Sequence, residues 1–315
     1  MYQDNDWYGH RRILLDYCNI KQNYNSLSSI QHGWNNFTSR KTLGGRKFKS
    51  LIPFLCWSKQ VKKMMNLVNS NNTYIIGAPF IYLHEMKKNK QFISKGTLVF
   101  PSHSTPEIDV VISHDKLIEV VERQEKGPYT VCLYYTDYKK KNVDIYKRKK
   151  WKIICCGNRV NKNFLYRLYK FIRNSETIVC TELTSPLFYS MFLNKRARII
   201  KNFRKNNKIS NLSKVEMWKH EIDGYKYFKK KYPSMFKKGL KLNEGKKLAD
   251  IELGQKYLRS QKVIKKIMGW DNFFKIILAK FFAIIIDFKE GANLRIGKAK
   301  RAKYSDKEYH NLFQN

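Results

Sequence analysis

Hydrophobic and polar positions along the first ninety residues predict strands that alternate with helices. Short apolar runs at 54–58 and 74–76 have the length and β-branched or aromatic content of strands, and residues 28–32 are predicted as a short strand that runs into a His-Gly turn. A helical pattern at 59–68 separates the two apolar runs. Strands that alternate with helices favour a parallel sheet, so an N-terminal α/β unit is expected over residues 1–90.

A second alternation follows a lysine-rich break at 87–95, which is a candidate linker. Strands are predicted at 98–100, 129–135, 151–157, 177–180 and 197–200, and helices at 115–124, 144–150, 163–173 and 186–193. The pattern predicts a second α/β unit over residues 96–205.

From residue 206 to the end, the sequence is strongly basic and predicts helices with no strand between them, at 213–220, 225–231 and 248–267. This third region, 206–315, is expected to pack back on the N-terminal unit or to lie on a membrane surface. Its most apolar stretch, 271–288, is interrupted by Lys275 and Lys280, which disfavours a membrane span. Two predictions for this stretch stay open: a helix in the core, or a helix lying on anionic lipid.

The net charge restricts the expected partner to an anionic one but does not identify it. The 315 residues include 63 lysines and arginines against 25 acidic residues, a formal net charge of +38. Such a charge implies an anionic partner, which can be nucleic acid, acidic lipid, or a phosphorylated or acidic sugar. A hydrophobic content of 43% indicates a folded protein. The length of 315 residues is sufficient for two α/β domains, each with its own core.

Several chemistries lose support because their motifs are absent from the sequence. The six cysteines form no CxxC pair, so buried free thiols are expected rather than a zinc site. No P-loop, GxGxxG, HExxH or GxSxG motif is present, which disfavours kinases, Rossmann dehydrogenases, zinc proteases and α/β-hydrolases. The N-terminus lacks the pattern of a signal peptide, so a cytoplasmic protein is expected.

Polar side chains gather where the predicted strands end, which is where parallel sheets bind ligands. In the second unit these ends are the 101–107 loop, residues 134–136, residues 157–159 and residues 181–185. At the last of them, Ser185 is a candidate helix cap and Pro186 suits the first helical turn, leaving N–H groups available to an anion. In the first unit, His32 precedes Gly33 at a strand end, where a sharp turn would expose the imidazole.

Three features together carry a resemblance to a known family. They are the Gln31-His32-Gly33 turn, the Gly77-Ala78-Pro79 turn, and the Thr184-Ser185-Pro186-Leu187 junction followed by Leu193-Asn194-Lys195-Arg196. Over residues 7–205 the chain resembles GT-B glycosyltransferases of bacterial surface polysaccharide synthesis (capsule or lipopolysaccharide O-antigen). It is similar to the group of teichoic-acid glycerophosphotransferases, Kdo transferases and polysialyltransferases. The fold implied is two Rossmann-like domains, with the basic helical region added at the C-terminus.

The resemblance implies an inverting, metal-independent transfer of sugar from a nucleotide-activated donor to a lipid-linked or growing glycan. His32 matches the His-Gly turn that supplies the base, and Glu107 is the second choice. The implied donor-binding set is His103, Ser104, Thr105, Tyr134, Gly157, Arg159, Glu182, Thr184 and Ser185. No cofactor is expected, and the absence of a DxD motif agrees with a reaction that needs no divalent metal.

The basic C-terminal helices would hold such an enzyme peripherally on the inner membrane. One departure from the family pattern is that Tyr134-Tyr135-Thr136-Asp137 stands where a His-Pro pair is expected. Two alternatives stay open. The chain could be a basic nucleic-acid-binding protein, although it has no RNP or KH signature, or a catalytically inactive GT-B subunit.

Overall fold

The structure, a computed structural model, describes residues 3–34, 53–66, 72–104, 109–138, 142–200, 204–208 and 226–281. It is a mixed α/β fold with parallel sheets, compatible with a Rossmann-like arrangement. The strands are β1 (Ser29–Ile30), β2 (Phe54–Cys56), β3 (Thr73–Ile75), β4 (Thr97–Phe100), β5 (Asp109–Ile112), β6 (Tyr129–Cys132), β7 (Lys152–Ile154), β8 (Thr177–Cys180), β9 (Arg196–Ile199) and β10 (Arg204–Lys208).

The first helix, α1 (Gln3–Asp6), is a single short turn, and the 3₁₀ turn Trp7–Gly9 follows it directly and leads into α2 (His10–Tyr17). The other helices are α3 (Lys59–Asn66), α4 (Pro79–Lys87), α5 (His114–Gln124), α6 (Asn142–Arg148), α7 (Phe164–Arg173), α8 (Ser185–Phe192), α9 (226–231), α10 (Leu242–Leu253), α11 (Gln261–Met268) and α12 (273–281). Short 3₁₀ turns occur at Trp7–Gly9, Pro233–Phe236 and Gln255–Tyr257.

The first sheet is three parallel strands in the order β1-β2-β3. Its central strand, β2, is buried at every position, which explains why it is a short continuous apolar run. Helix α4 begins at Pro79, whose fixed φ suits the first helical position, and its residues Pro79 to Leu83 are buried.

The second sheet has five parallel strands in the order β7-β6-β4-β8-β9. Strand β4 pairs with β6 on one side and with β8 on the other, so the chain changes direction across the sheet at β4. In open α/β sheets this switch point opens a crevice at the carboxyl ends of the strands, where ligands bind. The loops after β4 and β8 therefore border the candidate site.

Two predictions about the C-terminal region are wrong. Residues Arg204–Lys208 form β10, which pairs antiparallel with β5, so a strand extends beyond the predicted boundary at 205. The predicted helix 248–267 is two helices, because Gly254 adopts φ +72 and ends α10.

Two strands of the second sheet are shorter than predicted. The strand predicted at 129–135 ends at Cys132, and the one predicted at 151–157 covers Lys152–Ile154. Residues 213–220 and 282–288 lie outside the described residues.

Helices α10 and α11 pack against the first sheet and the N-terminal helices. The Ala78 N–H donates to the Leu253 carbonyl at 2.8 Å, and the Ser28 hydroxyl donates to the Ile267 carbonyl at 2.6 Å. The Trp270 indole N–H donates to the Asn25 carbonyl at 2.8 Å. One hydrophobic cluster joins side chains of both sheets with Leu253, Met268 and other residues of these helices.

All six cysteines are free, as the sequence predicts, and all except the half-buried Cys132 are buried. Among the described residues, no helix combines the length and the apolarity needed to cross a membrane.

Candidate functional site

The His32-Gly33-Trp34 turn after β1 meets the start of α8, which follows β8 in the other sheet. The Trp34 backbone N–H donates to Ser185 Oγ at 2.9 Å across 151 residues of sequence. At Gly33, an added Cβ would lie 3.7 Å from the same oxygen. The structure thus brings together two predicted site residues, His32 and Ser185, on loops from different sheets.

Trp7 lies between His32 and Arg159. The Trp7 and His32 rings meet edge to face with centroids 4.8 Å apart, and the Arg159 guanidinium carbon lies 4.4 Å from the centroid of the Trp7 ring. The indole face attracts the guanidinium by a cation–π interaction. Arg159, from the loop after β7, is therefore fixed beside the base predicted from sequence.

The imidazole of His32 is neutral at physiological pH. Burial lowers the pKa of His32 to about 4, and the positive charge of Arg159 contributes to the decrease. A second imidazole, His10, lies behind it and is fully buried. Burial lowers the pKa of His10 to about 3, with the charge of His32 as a further cause. A base is most effective when its pKa is near the working pH, so His32 in this environment is a weak base.

The N-terminal segment is seated on the loop that carries Arg159. Tyr8 adopts φ +58, and its N–H donates to the Arg159 carbonyl. Gly9 follows at φ +76, and an added Cβ there would lie 2.4 Å from the Lys162 carbonyl oxygen, so only glycine permits this approach. Gly157 also adopts a positive φ, +97, with Arg167 and Asn161 close to its α-carbon. Its role is therefore to shape the loop.

The start of α8 differs in detail from the prediction. Thr184, in extended conformation, is the N-cap residue, and Ser185 is the first helical residue, so the prediction that Ser185 caps the helix is wrong. No side chain caps α8. Thr184 Oγ1 is buried and lies against the Cys180 thiol, so it faces the interior and not the site. Ser185 Oγ remains at the site, where it also bonds to the Tyr189 hydroxyl. Glu182 lies half-buried in the loop before this helix start.

The loop after β4 is held by its own hydroxyls. Ser102 Oγ and Thr181 Oγ1 are 2.8 Å apart, which links the ends of β4 and β8. Ser104 is buried, and its hydroxyl accepts the Val110 N–H at 3.1 Å, so Ser104 supports the loop from inside. Thr105 and Glu107 lie outside the described residues.

Among the described residues of this loop, 101–104, His103 has the exposed side chain. Its ring centroid lies 4.4 Å from that of Tyr134, another member of the predicted donor-binding set. Burial raises the pKa of Tyr134, with Tyr8 as a further cause. Burial also raises the pKa of Tyr8, while the charge of Arg159 and a hydrogen bond from Tyr134 oppose that rise. His103, Tyr134 and Tyr8 thus form a continuous aromatic edge that leads to Arg159.

Trp34 joins the site to the C-terminal helices. Its ring stacks on Phe188 with centroids 4.3 Å apart, and its indole N–H donates to Glu252 Oε2 at 2.8 Å. Glu252 is buried, and burial raises its pKa while the hydrogen bond from Trp34 opposes the rise. Helix α10 thereby fixes the turn that carries His32.

Sequence reasoning missed Trp7, Tyr8, His10 and Trp34 as parts of the site. Two signals were available: glycine follows the Trp7-Tyr8 pair directly, and Trp34 follows the His-Gly turn. Neither signal identifies the partner, because Arg159 and Ser185 lie more than a hundred residues further along the chain.

The arrangement suits a ligand that is both planar and anionic. Trp7 and Tyr134 offer aromatic surface, Arg159 offers a fixed positive charge, and the uncapped start of α8 adds its dipole beside the Ser185 hydroxyl. In the part of the chain that the structure describes, no group of three or more His, Cys, Asp or Glu residues could hold a metal ion. The predicted independence from metal stays a prediction.

Comparison with known proteins adds no assignment. No protein-family model matches the chain, and neither a curated protein nor a solved structure matches it.

Proposed function

We propose that this chain is a metal-independent, inverting glycosyltransferase of the GT-B type, built from Rossmann-like domains at 1–90 and 96–205. Its donor is a nucleotide-sugar, and its acceptor is a lipid-linked or growing bacterial surface glycan. One observation supports this most: loops at the strand ends of two separate parallel sheets meet where Trp34 N–H bonds to Ser185 Oγ. A two-substrate transfer needs such a site, with one substrate approached from each sheet.

On the donor side, Arg159 and Ser185 are the groups suited to a nucleotide phosphate. The guanidinium supplies charge, and Ser185 Oγ with the α8 start supplies hydrogen bonds and a dipole as negative charge develops on the leaving phosphate. The His103 and Tyr134 rings, whose centroids lie 4.4 Å apart, are the candidate surface for the base, and Gly157 shapes the loop that carries Arg159. Thr184 contributes through the backbone turn.

On the acceptor side, His32 is the candidate base that removes the proton of the attacking hydroxyl. Its low pKa has two causes, burial first and then the charge of Arg159. A bound donor phosphate would neutralise Arg159 and remove the second cause, so the pKa of His32 would rise. The donor would thereby raise the basicity of His32 before the acceptor is attacked.

A thermal-shift panel with CMP, CDP, UDP, GDP and their sugars tests the donor site. A ligand at a hundred times its dissociation constant adds about 2.7 kcal/mol of stability. We expect one nucleotide to raise the melting temperature of the wild type, and Ser185→Ala to remove that rise. The matched control is Ser260→Ala, which alters an exposed serine at the start of α11. Because Ser185→Ala also loses the bond from Trp34, the readout is the nucleotide-dependent shift and not the melting temperature itself.

The net charge of +38 favours a second candidate, nonspecific nucleic-acid binding. Stabilisation by RNA or DNA that disappears at high salt and survives His32→Ala and Ser185→Ala, with no nucleotide effect, would support it and contradict the transferase. Nucleotide binding without turnover would indicate the inactive GT-B subunit.

A further inference from the structure

Helix α12 (273–281) presents a continuous apolar stripe to solvent. The exposed fractions are 71% for Phe273, 79% for Phe274, 36% for Ile277, 47% for Leu278 and 60% for Phe281. Spacings of one and four residues put these five side chains on one face of the helix. Ordinary protein surfaces expose apolar side chains singly, whereas this nine-residue helix exposes three phenylalanines on one face.

The opposite side of α12 is the buried side. Ala279 is buried, and Ile276 is half-buried. The helix start is fixed by Asn272, whose Oδ1 accepts the Phe274 N–H at 2.8 Å. The apolar stripe is therefore the outward face of α12.

Exposed lysines occur on α12 itself and on the helix that precedes it. Lys280 is exposed on α12, and Lys262 and Lys266 are exposed on the preceding α11. The nearby acidic residue, Asp271, pairs with Lys275 at 3.1 Å. Over residues 226–281 the sequence has sixteen lysines and arginines against four acidic residues. This field would attract an anionic surface and repel a second copy of the chain.

An apolar stripe accompanied by exposed lysines has the chemistry of an interfacial helix. Such helices insert their apolar side chains at the boundary between headgroups and acyl chains, while lysines bind anionic headgroups. Interfaces between proteins are depleted in lysine, which makes a protein partner the poorer fit. Residues 282–286, Phe-Ala-Ile-Ile-Ile, continue the apolar sequence.

We propose that the exposed face of α12 docks on an anionic lipid surface, with Phe273, Phe274 and Phe281 inserted among the lipids. This surface does not include the residues around His32 and Ser185, so its test is independent of the proposed transferase.

Co-sedimentation of the full chain with vesicles tests the docking. The vesicles are phosphatidylcholine alone, or phosphatidylcholine with phosphatidylglycerol. We expect binding to the anionic vesicles only, and we expect Phe274→Ser/Phe281→Ser to weaken it about tenfold or more, since two exposed rings lose their insertion. The matched control is Ile251→Ser, which removes an apolar side chain that is 67% exposed on α10. Melting temperatures show whether the variants remain folded.

Three results would overturn the proposal. The first is failure of the wild type to bind anionic vesicles, or equal binding to both kinds. The second is unchanged binding by the folded double variant. The third is a wild-type dimer in sedimentation velocity that the double variant converts to monomer, which would make a second copy the occupant.

Discussion

Replacing Gly254 with alanine tests how α10 is joined to the first sheet. Gly254 ends α10 at φ +72, a conformation that residues with a side chain rarely adopt. An added Cβ would lie 1.7 Å from the Trp57 carbonyl oxygen. Because this oxygen belongs to the backbone directly after β2, no side-chain rotation relieves the overlap. Either α10 or the end of β2 must move.

The magnitude follows from three contributions. The left-handed conformation costs a non-glycine residue about 1–2 kcal/mol. Separation of the two segments also weakens the 2.8 Å hydrogen bond from Ala78 N–H to the Leu253 carbonyl, worth about 1 kcal/mol. Loss of packing around the buried Leu253 and Trp57 adds to these. We expect Gly254→Ala to lower the free energy of unfolding by about 3 kcal/mol or more.

Gly245→Ala is the matched control within the same helix. Its added Cβ would lie 3.4 Å from Met191 Cγ, an ordinary contact distance. Alanine also favours a helix interior over glycine by up to about 1 kcal/mol. We expect the stability of this variant to lie within about 1 kcal/mol of the wild type.

Urea unfolding followed by circular dichroism measures both variants, and the midpoint with its slope gives the free energy of unfolding. A Gly254→Ala protein as stable as the wild type would refute the close approach of α10 to Trp57. Equal losses in the two variants would show that α10 tolerates no added methyl group, which would refute the reasoning from distance.

Two further predictions concern protonation and metal. Acidification from pH 8 to pH 5 should lower stability, because the pKa values of His10 (about 3) and His32 (about 4) lie below that of an unfolded histidine, so the unfolded chain binds more protons. Each histidine accounts for about 2 kcal/mol at pH 5. Unfolding of His10→Gln should show a pH dependence smaller by about that amount. Identical slopes for the wild type and His10→Gln would contradict the burial of His10. Release of free nucleotide from the donor should proceed equally in EDTA and in magnesium, and a loss in EDTA that magnesium restores would contradict the metal-independent reaction.

Most regular elements of residues 97–199 follow from local pattern, but strand β5 was not predicted, and it pairs with β10. Strand β8, predicted at 177–180, is a run buried at all four positions, and Pro186 marks the first turn of α8. Boundaries were less predictable, since β6 ends at Cys132 although apolar residues continue to Tyr135. Strand β10 could not be predicted, because Arg-Lys-Asn-Asn-Lys has no apolar alternation and forms only by pairing with β5.

The candidate site was only partly predictable for a similar reason. His32, Arg159 and Ser185 stand at strand ends, a position that topology alone marks for ligands. Trp7 and Tyr8 join them through contacts across some 150 residues, and Tyr8 does so in a φ +58 conformation that no sequence rule assigns to tyrosine. Ser104 and Thr184 have suitable hydroxyls, but packing directs both inward. Gly254 splits a helix that periodicity predicts as continuous, because it adopts a positive φ, and an added Cβ there would overlap the Trp57 carbonyl oxygen.

Hydrogen exchange in the presence of CMP, CDP, UDP or GDP tests the central claim, that strand ends of both sheets form one nucleotide-sugar site. The segments to follow are 29–34, 157–162 and 181–187. The proposal predicts that one nucleotide slows exchange in all three segments at once. Slowing confined to the basic helices of 226–281, or no slowing with any nucleotide, would contradict it.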